Sequence, residues 1–195
     1  MNKIFHRRHL PHLHFNDGIY FITSRLYDPE LFTKFDKEYY INHPNQLSNI
    51  DFQTHFVQYD EILNTYKSQI DYLKNPEIAE ILLNEFHKLD GKEYNLIAYT
   101  ILSNHFHLLF ELLVANSGIS KIMKMIKGRS SVFINRKLNR TGKLWQDESY
   151  DRWVRDDKEL YFVIRYILEN PVKAGLVKNW RDWKFTYCKQ DFIVI

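Results

Sequence analysis

Cysteine is nearly absent: Cys188 stands alone among 195 residues. No internal disulfide framework can form, and the chain fits a reducing cytosol. Long apolar runs are missing as well. None approaches the ~20 residues that cross a bilayer, and the start, "MNKIFHRRHLPHLHF", carries no signal-peptide core. Neither a membrane partner nor export is expected. The chain contains no G-x-x-x-x-G-K-[ST] phosphate loop, no H-E-x-x-H zinc helix and no G-x-S-x-G serine elbow. No cysteine cluster offers a structural zinc site. At this length the ~250-residue barrel of many metal hydrolases is also out of reach.

One further absence is local. Between Leu112 and Gln146 there is no acidic residue, while Lys121, Lys124, Lys127, Arg129, Arg136, Lys137, Arg140 and Lys143 fall in that stretch. The first acid of the chain is Asp17, after Lys3, Arg7, Arg8 and four histidines. Such stretches attract polyanions, of which nucleic acid is the commonest. They are equally the pattern of a solvated helix face whose acidic partners come from elsewhere in the fold. What is present is otherwise ordinary: 45% hydrophobic and 26% charged residues describe a globular chain able to bury one core. No repeat or linker divides it, so residues 1–195 read as a single domain.

Residues 18–26, "GIYFITSRL", read as a strand after a glycine turn. Residues 54–71 carry apolar side chains at helical spacing. A second helix is expected from "NPEIAEILLNEFHKLDG", with Asn75 as cap, Pro76 in the first turn and Gly91 past the end. "EYNLIAYTIL" and "HFHLLFELL" form a strand pair joined by "SN". A basic helix or helix pair over 117–138 and a strand within "GKLWQDESYDRWV" follow. The last helix has Asp156 and Glu159 as a capping box, with Pro171 and Gly175 closing it. Helices covering an antiparallel sheet give a ferredoxin-like α+β sandwich.

His105 and His107 sit at alternate positions of the second hairpin strand and share a face with Leu109 and Glu111. Phe106, Leu108, Phe110 and Leu112 make the other face continuously apolar, which leaves the histidine face as the more open one. Two imidazoles so placed suit a divalent metal that takes further oxygen ligands. Spacing alone leaves core packing just as open, because "LPHLHF" repeats it at His12 and His14. Those two lie in a proline-broken segment and read as surface or nucleic-acid contacts. On the last helix the apolar stripe is Leu160, Val163, Ile164 and Ile167. Tyr166 and Asn170 stand i, i+4 on its flank, as surface neighbours. A phenol and a carboxamide there can reach a site above the sheet. They can also do no more than pack at the sheet edge and cap the helix before Pro171.

The ordered set "SNHFHLLF" and "GKLWQDESYDRWVRDDKELYFVIRYILENPVKAGLV" resembles the REP-associated tyrosine transposases, single-tyrosine HUH transposases of bacterial insertion sequences. "RRHLPHLHFNDGIYFITSRL" and "NPEIAEILLNEFHKLDGKEYNLIAY" are similar to that family too, so the likeness covers most of the chain. The resemblance implies a ferredoxin-like HUH sheet in a bacterial cytoplasmic protein. It implies His105, His107 and Asn170 as ligands of Mg²⁺ or Mn²⁺, and Tyr166 as the nucleophile. The implied substrate is single-stranded DNA bearing a hairpin, cut and rejoined through a covalent 5′-phosphotyrosine. Both monomer and homodimer, with the tyrosine acting in cis or in trans, stay open. Ser103 departs from the proline that family members often have there, residues 40–54 have no assignable counterpart, and the end after Trp183 matches loosely.

Arg7, Arg8, Lys121, Lys124, Lys127, Arg129, Arg136, Lys137 and Lys173 are the expected DNA contacts. Trp145, Trp153 and Trp180 can stack on unpaired bases, although core or edge packing is preferred for Trp145 and Trp153. Two alternatives remain beside the nicking enzyme. One is a domesticated protein that binds DNA hairpins without turnover, and the other is a metal phosphodiesterase without covalent chemistry.

Overall fold

The computed structural model describes residues 4–7, 11–29 and 70–193. Five strands form one antiparallel sheet in the order β6, β3, β5, β4, β7: β3 is Ile19–Arg25, β4 Tyr94–Ile101, β5 His105–Leu112, β6 Tyr150–Trp153 and β7 Thr186–Cys188. A separate hairpin pairs β1, Ile4–Arg7, with β2, Pro11–His14. Among the described residues three α-helices cover the sheet: α1, Pro76–Leu89, α2, Ile119–Lys137, and α3, Asp157–Lys173. The ferredoxin-like α+β expectation holds.

The expected signals act where the sequence puts them. Asn75 Oδ1 accepts from Glu77 N at 2.9 Å and Pro76 starts α1, satisfying a donor the helix cannot. Asp156 caps α3 by accepting from Glu159 N at 2.8 Å. The reciprocal half of that box is not made. The Glu159 carboxylate is buried and turns instead to Arg152 Nε at 2.7 Å and Arg155 Nε at 2.9 Å, tying α3 to β6. Pro171 lies inside α3 rather than ending it. The helix stops through Gly175 at φ 69°: Gly175 N donates to Val172 O and Leu176 N to Pro171 O, the paired bonds of a Schellman ending. The basic stretch forms a single helix. The helix expected over 54–71 and the 40–54 segment lie outside the described residues, except for positions 70 and 71, which are not helical.

The sheet is covered on both faces. Tyr20, Ile22, Phe106, Leu108 and Phe110 pack with α1 and α2 on one side. On the other, Phe21, Ile97, Ala98 and Leu109 pack with Val163, Ile164 and Ile167 of α3. The histidine face is therefore not the open one that alternation suggested. Leu109 and Phe21 give that face enough apolar surface to seat α3, and α3 closes it.

Candidate active site

Antiparallel register builds the site from three neighbouring strands. Thr23 of β3 and Thr100 of β4 both stand opposite His107, and Arg25 stands opposite His105. Directly opposite residues share a face with Cβ atoms ~5 Å apart. His105 and His107 alternate along β5 and so share that face, with ring centres 5.0 Å apart and planes at 76°. His105 is 1% exposed and His107 0%.

The helix completes the set. Its buried arc extends beyond the apolar stripe and takes in Tyr166, 6% exposed, and Asn170, 0% exposed. Their i, i+4 spacing lays both over β5. Asn170 Nδ2 lies 3.2 Å from His107 Nε2. The Tyr166 ring meets the His107 ring edge-on, with centres 5.6 Å apart. His107 also stacks on Phe21 at 5.6 Å and bonds Thr23 Oγ1 through Nδ1 at 2.8 Å. His105 Nδ1 is 2.6 Å from Asn104 Oδ1. Lys173 stands with Nζ 5.1 Å from the Tyr166 ring centre and 3.1 Å from Glu169 Oε2.

His105, His107, Tyr166 and Asn170, far apart along the chain, thus converge within one subunit. Among the described residues no three His, Cys, Asp or Glu side chains gather to hold a metal. The candidate ligand set is two imidazoles and one carboxamide. Its donors fit a divalent ion that keeps oxygen positions for phosphate and water. The turn that bears Ser103 in place of proline closes normally: Leu102 N donates to His105 O, and Asn104 O accepts from Leu26 N.

The basic candidates divide differently. Lys121, Lys124, Arg129, Arg136 and Lys137 are exposed on α2, which packs on the sheet face opposite Tyr166. Lys137 pairs with Glu77 at 2.7 Å. Lys127 is spent within the fold. Its ammonium donates to Gln146 O at 2.5 Å, Asp147 O at 2.9 Å and Ser149 Oγ at 3.3 Å, and burial pulls its pKa down to about 8. Only Lys173 of the described basic candidates stands beside the tyrosine. The side chains of Arg7 and Arg8 lie outside the described residues.

The reading of the segment "LPHLHF" changes at His14, while the side chain of His12 lies outside the described residues. Both histidines lie in β2, whose ladder with β1 supplies the regularity that proline seemed to deny. His14 is buried there, with Nε2 3.1 Å from Asp151 Oδ1. Trp145 is core, donating through Nε1 to Ser130 Oγ at 3.0 Å, and Trp153 packs on Phe15. Trp180 lies under the Arg181 guanidinium, 4.4 Å from its ring centre. Sequence reasoning missed Thr23 and Asn104. Only the register of β3 on β5 and the proximity of Asn104 to the pair could have pointed to them.

A solved REP-associated tyrosine transposase bound to a REP hairpin shares the fold. It aligns with TM-score 0.52 and 19% identity over 93% of this chain and 80% of that one. The chain belongs to the IS200-like transposase family, whose model matches residues 54–170, a span that includes all four converging residues. The REP-associated tyrosine transposase of Escherichia coli is 26% identical over 100 residues. A Haemophilus influenzae relative named for the same class is 28% identical over 107 residues. These matches take in 51% and 50% of this chain, and span 58% and 61% of the relatives' own lengths.

Proposed function

We propose that this protein cleaves and rejoins single-stranded DNA beside a hairpin, with Tyr166 as nucleophile and a divalent ion, Mg²⁺ or Mn²⁺, held by His105, His107 and Asn170. The observation that carries this reading is the approach of Asn170 Nδ2 to 3.2 Å from His107 Nε2, with the Tyr166 ring against the same imidazole. Turning the carboxamide about its last torsion brings Oδ1 to the place of Nδ2, beside Nε2. When bound, the ion polarises the scissile phosphate and offsets its growing negative charge.

Tyr166 Oη attacks phosphorus in line, forming the Tyr–O–P bond as the P–O3′ bond breaks. The phenol proton is lost, and the departing 3′-oxygen takes one up to become a hydroxyl. The Lys173 ammonium, near the ring and paired with Glu169, favours the charge that builds on the phenol oxygen. Reversal of the same steps, with a 3′-hydroxyl as attacking group, reseals the strand. The phosphotyrosine conserves the bond energy, which accords with a chain that lacks a phosphate loop. Completeness of the set within one subunit supports attack in cis. The name of the structural relative, bound to a REP hairpin, supports a hairpin as the recognised element.

The test is a labelled single-stranded hairpin with flanking DNA, incubated with and without Mn²⁺. The wild-type protein is expected to form a protein–DNA adduct that survives denaturation, and Tyr166→Phe to bind the DNA without forming it. An adduct retained in Tyr166→Phe would sink the assignment. Cleavage without an adduct would indicate a metal phosphodiesterase, and binding without either would indicate a hairpin-binding protein.

A further inference from the structure

We propose that Thr23 and Asn104 are positioning residues that hold both site histidines in the tautomer protonated on Nδ1, leaving Nε2 as the unprotonated nitrogen of each. The inference rests on the reading that His105 and His107 serve a metal, and it adds residues outside the ligand set.

The assignment follows from donor and acceptor chemistry. A carboxamide nitrogen donates and never accepts. In this orientation of the Asn170 carboxamide, with Nδ2 3.2 Å from His107 Nε2, Nε2 carries the lone pair. The ring proton of neutral His107 is then on Nδ1, and it is donated to Thr23 Oγ1 at 2.8 Å. At His105 the logic starts from the other nitrogen. Asn104 Oδ1 can only accept, so the 2.6 Å contact puts the proton on His105 Nδ1. Two separate amide contacts, one from Asn170 of α3 and one from Asn104 in the turn between β4 and β5, give the same tautomer, and the Thr23 hydroxyl, which can donate or accept, is placed to receive the Nδ1 proton of His107.

Packing singles out Thr23 for this role. It is fully buried. A buried hydroxyl is costly unless bonded. Thr100, opposite His107 on its other side, spends its hydroxyl on Thr186 Oγ1 at 2.7 Å. Thr23 is thus the threonine that serves the imidazole. A histidine that binds metal through Nε2 needs that nitrogen unprotonated and its other ring N–H bonded, and losing such a partner typically costs roughly 10- to 100-fold in metal affinity.

Long-range ¹⁵N–¹H spectra of the metal-free protein, above the imidazole titration range, report the tautomer. Mn²⁺ titration without DNA reports affinity. Wild-type protein is expected to show Nδ1–H at both histidines. Thr23→Val should lose that signature at His107 alone and bind Mn²⁺ roughly 10- to 100-fold more weakly. Thr23→Ser should restore both, and Thr100→Val should leave both as they were. Asn104→Leu should shift the His105 signature and spare that of His107. Thermal melts establish that each variant is folded. If Thr23→Val does not fold, the wild-type spectrum and Thr23→Ser still decide. An Nε2–H tautomer at either wild-type histidine overturns the inference, as does a folded Thr23→Val with wild-type affinity. Wild-type protein that bound no Mn²⁺ would instead overturn the metal reading itself.

Discussion

At His107 several side chains meet: Phe21 stacks on the ring, Thr23 and Asn170 bond its two nitrogens, Tyr166 closes over its edge, and the His105 ring lies alongside. An imidazole so enclosed has one orientation, and a ligand or nucleophile held this firmly needs little reorganisation to act. The same burial silences the one thiol. Cys188 packs under α3 against Ala98, and desolvation pushes its pKa up to about 11. Only the thiolate is nucleophilic, so the folded protein at neutral pH should react with a disulfide reagent far more slowly than the unfolded chain. The rate should climb as pH approaches about 11. A neutral-pH rate equal to that of the unfolded protein would contradict this burial.

Elements hold the site through a few joints. The Glu159 carboxylate binds Arg152 of β6 and Arg155 just before α3, which fixes the start of the helix that carries Tyr166 and Asn170. Just ahead of β3, Gly18 takes φ 97°, a conformation that side chains rarely adopt. A Cβ there would come within 2.5 Å of Trp153 Nε1. Gly18→Ala therefore combines backbone strain with a clash against a partly buried indole. It should cost about 1–3 kcal/mol, read as a lower urea midpoint with unchanged m-value. The local punctuation of these elements is legible in the chain: Asn75, Asp156 and Gly175 act through hydrogen bonds to neighbours a few residues away, and Pro76 through its fixed φ, so none needs a distant partner. Pro171 does not stop the helix as its position suggests, because a proline near a helix end can be carried into the last turn when a glycine beyond it supplies the stop.

For the molecule as a whole, the two sheet faces divide the labour. Tyr166 stands on α3 and the histidines lie under that helix, while the acid-free stretch forms α2 on the far side. A DNA strand that touches both must pass round the sheet edge, so α2 should contribute binding and not chemistry. Replacing exposed Lys121 or Lys124 by Ala should reduce the salt slope of single-stranded DNA binding by about 0.7 for each phosphate that the variant no longer neutralises. The adduct-forming rate at saturating DNA should stay at the wild-type value. A fall in that rate with unchanged salt dependence would place α2 at the reacting phosphate instead.

The sequence by itself determined the hairpin strands, the limits of α1 and α3, and the pairing of Tyr166 with Asn170, since each depends on spacing and on neighbours a few residues away. It did not show that the histidine face is covered, because alternation reports which side chains share a face and not what packs on it. Nor could it reveal β7 or the β1–β2 hairpin, whose three- and four-residue strands exist only through their partners. The burial of His14 on Asp151, the diversion of Lys127 into the loop at 146–149, and the bond from Thr23 to His107 likewise needed the tertiary structure. Each joins residues distant in the chain, and only strand register and helix docking decide which polar atoms meet in the dry interior.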